Sequence, residues 1–287
     1  MKNEDFPALH RSANTLSLDA QRHFFTVLKL HLSLLCIGAA LSALNFPYVW
    51  IAIVQVFALL GALFCSIYLF AKRPDRLWYA GRAVAESVKT ITWRYVTKAE
   101  PFDTAENIAQ HDFRKKLYDI VEQNREVAQA LTSNLTEVQI TNIMNDIRNR
   151  SLEDRKELYR AGRITDQLDW YAKKSAFNRK TSSLFFSLLV ATNGAAVVSA
   201  VVRINFLDSP VWCTDTLIAI AASLLSWMQA KRYSELASSY ALTAHEIILI
   251  REQSLLAGTD KDFSLFVGDA ENAFSREHTQ WIARRDV

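Results

Sequence analysis

The chain has 287 residues, of which 50% are hydrophobic and 22% charged. Thirty-three Lys and Arg stand against 30 Asp and Glu, a formal net charge of +3, so no direct nucleic-acid binding is expected. With only 7 Gly and 5 Pro the chain is neither β-rich nor disordered, and its apolar residues are bunched rather than spread at the 3.6- or 2-residue period of a soluble domain.

Residues 1–21 are polar, with acids at Glu4, Asp5 and Asp19. A secretory leader would begin basic and pass at once into a short apolar core, so no cleavable signal is expected. Two apolar runs follow, at 27–46 and 48–71, and two more at 184–202 and 212–230. A helix crosses roughly 30 Å of hydrocarbon with about 20 residues at ~1.5 Å each. The first run reaches that length if Lys29 and His31 lie at the interface, with Lys29 snorkelling to the headgroups. The fourth has Asp215 near its start. A carboxylate costs about 2.5–3.5 kcal/mol at the bilayer centre, which places Asp215 and Arg203 at the water boundary. The alternative, four buried helices of a soluble bundle, needs a polar face. Residues 51–70 offer only Gln55 and Ser66 as strongly polar breaks.

Arg22, Lys29, Lys72, Arg73 and Arg76 flank the first pair of runs. Lys173, Lys174, Arg179, Lys180, Lys231 and Arg232 flank the second. The turn Asn45-Phe46-Pro47 has no basic residue and the stretch 203–215 has one. The positive-inside rule then puts both termini and the middle segment in the cytoplasm. Tyr48, Trp50, Trp78, Trp212, Trp227 and Tyr233 sit near run ends, as an aromatic belt would.

The segment 101–163 reads as helical, with Phe113, Leu117, Ile120 and Val121 on one face and a more polar helical stretch over 135–159. Breaks are expected at Pro101, Ser133-Asn134 and Ala161-Gly162. Gly258 and Gly268 are expected to interrupt the tail before a last helix with Phe274, His278, Trp281 and Ile282.

The second half echoes the first. Gly38-Ala39-Ala40 with Ser42 parallels Gly194-Ala195-Ala196 with Ser199. The second and fourth runs each end in a basic pair, Lys72-Arg73 and Lys231-Arg232. After each pair comes an apolar stripe spaced mostly by 3 and 4: Leu77, Gly81, Val84, Val88, Ile91, Tyr95, and then Leu236, Tyr240, Thr243, Ile247, Ile250. These water-facing helices are expected to continue directly from the spans before them. The fold class is therefore an all-α membrane protein, four transmembrane helices as two hairpins extended by long cytoplasmic helices. Residues 1–102 form the first hairpin and helix, 103–160 a helical linker, and 161–287 the second hairpin and helices.

No nucleotide-binding glycine loop, nucleophile elbow or metalloprotease motif occurs, so no enzyme and no cofactor is expected. Cys36, Cys65 and Cys213 form neither a disulfide framework nor a metal spacing. Arg82, Glu86, Lys89 and Trp93 share one helix face, read as a gating or subunit contact or as a solvated charged face. Gln55 and Asn193 are polar groups within the apolar runs. They line a pore or hold neighbouring helices together. Gly38 with Ser42, Ala58 with Ala62 and Ala195 with Ser199 have the small-residue spacing of close helix packing.

Trp78-Tyr79, the run from Arg82 to Thr90, Thr92-Trp93-Arg94-Tyr95 and Glu100-Pro101-Phe102 resemble the SLATT family, a two-helix membrane effector domain of bacteria. Ser17-Leu18-Asp19-Ala20-Gln21 fits the family's approach to its first helix, and the run from Glu271 to Trp281 is similar to the end of a second copy. At the position of Glu86 the second copy has His245, with Glu246 beside it. The resemblance implies a membrane effector of a conflict system, encoded beside nucleotide-generating or nucleotide-sensing proteins. The function expected is a pore-forming homo-oligomer in the lipid bilayer, gated by a nucleotide-derived signal or a sensor partner. A non-conducting membrane anchor and a small ion channel or transporter are the alternatives.

Overall fold

The computed structural model describes residues 1–44, 47–206 and 212–283, without the side chains of Leu44 and residues 276–283. Parts of both connecting turns, at 45–46 and 207–211, lie outside the described residues, as do the side chains of His278, Trp281 and Ile282. The described residues hold eleven α-helices and no strand. They are α1 (Ala8–Leu44), α2 (Val49–Lys72), α3 (Pro74–Thr97), α4 (Glu106–Gln123), α5 (Arg125–Ala130), α6 (Asn142–Arg148), α7 (Leu152–Tyr159), α8 (Asp166–Asn205), α9 (Thr214–Lys231), α10 (Tyr233–Gln253) and α11 (Asp260–Ala283). Residues Arg160–Thr165 form a π-helical turn between α7 and α8.

Among the described residues, three helical runs are long and apolar enough to cross a membrane: Ala8–Ala43, Val49–Thr97 and Leu152–Asn205. Within their most apolar windows only 6 to 17% of the residues are buried. An apolar helix that packs so little protein against itself needs another apolar solvent, and lipid supplies it. Val49, Phe57, Phe64 and Phe70 on α2 are 76, 68, 68 and 86% exposed. The chain is a membrane protein. The fourth run, α9, is 18 residues long and carries Asp215, Gln229 and Lys231. It falls short of the same measure, so three spans stand on length and composition.

The chain divides into two compact units. The apolar one comprises Arg22–Pro74 and Lys173–Tyr240. Here Gly38 and Gly61 admit close contact between α1 and α2: a methyl group on either would meet Leu59 or Leu34 at 3.0 Å. Gln55 donates to the Gly38 carbonyl at 3.3 Å, and the Nδ1–H of His31 to the Ala62 carbonyl at 3.0 Å. Thr216 on α9 donates to Ala39 at 3.4 Å. Ser199 and Thr214 bond at 2.8 Å, and Ser175 donates to the Ala237 carbonyl at 2.8 Å.

The other unit comprises Met1–Gln21, Asp75–Ala172 and Ala241–Val287. Its core holds Val84, Val88, Trp93, Tyr95, Phe102 and Phe113, all at most 2% exposed. The last carbonyls of α3 have no partner within the helix, and two buried arginines take them up. Arg148 donates to the Tyr95 carbonyl of α3 at 2.7 Å, and in the loop after it to those of Phe102 at 2.8 Å and Thr104 at 2.9 Å. Arg155 donates to Thr97 at 2.6 Å. Such charge-assisted bonds are worth about 1.5–3 kcal/mol each.

Several sequence expectations are corrected. Gly162 does not break the chain, because it lies inside the π-helical turn. A Cβ there would come within 3.3 Å of the Trp93 ring, so packing outweighs glycine's helix cost of about 1 kcal/mol. Gly268 does not interrupt the tail either: it sits within α11 against the Glu100 side chain. Residues 131–141 are irregular rather than helical; helix resumes at α6, where the Thr141 hydroxyl accepts from Met144 N at 3.3 Å. The stripe helices do not run straight on from α2 and α9. Arg73 and Arg232 end those helices in left-handed backbone, with φ of 43° and 51°.

Candidate functional site

In α3, Arg82, Glu86, Lys89 and Trp93 recur at three- and four-residue steps and so lie along one side. The structure grades them from solvent to core. The Arg82 side chain is 40% exposed and Glu86 17%, joined at 3.7 Å. The Arg82 guanidinium also lies 6.0 Å from the Trp170 ring centre. Lys89 is half-buried, and burial pushes its ammonium below the ordinary lysine pKa against the opposing charge of Glu86. Trp93 is buried, edge-on to Tyr159 at 5.7 Å and to Phe6 at 6.4 Å.

Beyond Trp93 lies an ion pair that spacing did not single out. Arg163 Nε and Nη2 donate to the two oxygens of Glu271 at 2.8 and 2.7 Å, a fork geometry. Their side chains are 2 and 0% exposed. Tyr159 donates to the same carboxylate at 3.0 Å, and the Arg163 guanidinium stacks 4.8 Å from the Phe274 ring centre. Burial alone would depress the arginine's pKa. The adjacent Glu271 carboxylate reverses that and holds it above the ordinary value. Burial, with the negative charge of Glu271, pushes the Tyr159 phenol well up. His10 donates from Nδ1 to the Ala85 carbonyl at 2.9 Å, and burial lowers its pKa.

The π-helical turn is what presents Arg163. Such a turn is wider than an α turn and is frequent at functional sites. It brings Tyr159 and Arg163 to one carboxylate on α11. Arg94 adds a second tie to α11, donating to Gly268 O at 2.9 Å and to Asn272 Oδ1 at 2.8 Å. Only one signal for this cluster was visible in sequence. Glu271 opens the C-terminal motif, but its partner lies 108 residues away.

The remaining residues singled out from sequence lie elsewhere. His245 and Glu246 stand exposed on α10. Gln55 is bonded across the α1–α2 contact. Asn193 is exposed and donates to Leu189 O in its own helix at 2.9 Å.

A family model described as SMODS and SLOG-associating 2TM effector domain 3 matches residues 7–156, more than half of the chain. The chain belongs to the SLATT family. A second model, SMODS and SLOG-associating 2TM effector domain 1, matches residues 159–281, so two SLATT domains lie in tandem. The internal repeat seen in the sequence is this duplication. No curated protein and no solved structure matches the chain. The buried network draws on both SLATT domains: His10, Glu86, Lys89 and Trp93 come from the first, Tyr159, Arg163 and Glu271 from the second.

Proposed function

We propose that this tandem SLATT protein is a membrane effector of a bacterial conflict system that acts without catalysis. Several copies would assemble to open a pore in the inner membrane on a cytoplasmic, nucleotide-derived signal or a sensor partner. In this reading α9 is the fourth span, with Asp215 at its water boundary, and both termini are cytoplasmic. The observation that carries it is the belt of exposed apolar side chains on α2 and α8, which leaves lipid or another copy as the only suitable neighbour. One subunit has too few intramembrane polar groups to enclose water, so conduction needs several.

The gate in this proposal is the network around Trp93, because its members come from both SLATT domains. A signal that moves the closed–open ratio from 1:99 to 99:1 must bind the open form about 5.5 kcal/mol more tightly. On induction in a bacterial host, the protein is expected to depolarise the membrane, read with a potential-sensitive dye. Glu86→Lys sets a cation beside Lys89 and should change toxicity while membrane insertion is retained. Unchanged toxicity removes Glu86 from the gate, and the absence of any leak removes the pore.

A second reading, a non-conducting anchor for a cytoplasmic partner, is favoured by the bonding of Gln55, whose amide is occupied by Gly38 rather than turned to a lumen. It predicts no leak, with loss of the partner's membrane localisation when the protein is deleted.

A further inference from the structure

Two lysines in the apolar unit share one aromatic ring. Lys29 on α1 lies 5.5 Å from the centre of the Trp227 ring on α9. Lys231, at the end of α9, lies 5.2 Å from the same ring and 3.3 Å from the centre of Phe25. Phe25 and Trp227 meet edge-on at 5.6 Å, so the two rings form one aromatic wall, and both ammonium groups lie near Trp227. Among the described residues neither ammonium has a carboxylate partner. The neighbouring Arg232 behaves differently: it is paired with Glu235 through Nε and Nη2.

Two like charges gathered on one wall repel each other, and the aromatic faces offset only part of that. An anion between them removes the repulsion. Both lysines stand where an apolar helical run gives way to charged sequence, Lys29 at the start of one and Lys231 at the end of another. Tryptophan and lysine side chains at that depth meet lipid headgroups. We infer that Lys29, Lys231 and Trp227 form a binding site for a phosphate group, supplied by the headgroup of an anionic phospholipid. The site rests on the reading of α9 as a membrane span.

The test uses the full-length protein in detergent, titrated with phosphatidylglycerol or phosphatidylcholine and followed by native mass spectrometry. The wild type should retain phosphatidylglycerol in preference to phosphatidylcholine. Lys29→Gln and Lys231→Gln should each weaken that binding about fivefold, whereas Lys72→Gln, at the matching end of α2, should not. Inorganic phosphate should fail to displace the lipid. Equal retention by the variants, an equal loss in Lys72→Gln, or displacement by inorganic phosphate would overturn the assignment. Alkaline carbonate extraction of the same variants separates the two levels. Release of the wild type from membranes sinks the span reading itself, while retention without lipid preference sinks only the headgroup site.

Discussion

Glu271 is fully buried, and three donors converge on its carboxylate: Arg163 Nε, Arg163 Nη2 and the Tyr159 hydroxyl. Removing one partner of a buried pair strands the other charge without water. Glu271→Ala is therefore expected to destabilise the protein by about 3–5 kcal/mol, seen as a fall in thermal midpoint in detergent. The double variant Arg163→Met, Glu271→Leu should recover most of that loss, because no lone charge is left. If the double variant is as unstable as the single one, the pair contributes packing that hydrophobic side chains cannot replace. A recovered stability with lost toxicity would assign the pair to the gate.

At the scale of elements, the two SLATT copies share a device at the ends of their second apolar helices. Arg73 caps α2 and Arg232 caps α9, each in left-handed backbone and each donating its N–H four residues back, to Leu69 O at 3.2 Å and Met228 O at 2.8 Å. A side chain with a Cβ costs roughly 1–2 kcal/mol in that conformation, and glycine avoids the cost. Arg73→Gly should accordingly raise the thermal midpoint, and Arg73→Ala should not. A lowered midpoint in Arg73→Gly would mean that the guanidinium makes a contact worth more than the strain. Both breaks escaped a reading by apolar pattern, because each stripe starts only past its break, at Leu77 and Leu236. A single left-handed residue leaves no mark in hydrophobic spacing, and neither Arg73 nor Arg232 is a residue type that favours it.

For the molecule as a whole, the placement of basic residues predicts which side each turn faces. In a background without Cys36, Cys65 and Cys213, an introduced Asn45→Cys should react with an impermeant maleimide added outside intact spheroplasts. Ser254→Cys should react only after permeabilisation. The opposite pattern would reverse the orientation, and labelling of both from one side would count against an odd number of crossings between them.

The amino-acid order alone was enough for the helical class, three of the four expected spans and the duplication. Each of these is written in local composition: runs of about 20 apolar residues, stripes at three- and four-residue steps, and a basic pair used twice. The buried network was not legible in that way. Arg163 meets Glu271 across 108 positions, and no periodicity relates two residues so far apart. Tertiary structure also decided the role of the glycines at 162 and 268. They serve as places where another side chain lies too near for a Cβ to fit easily, and that is a property of the neighbour rather than of the segment.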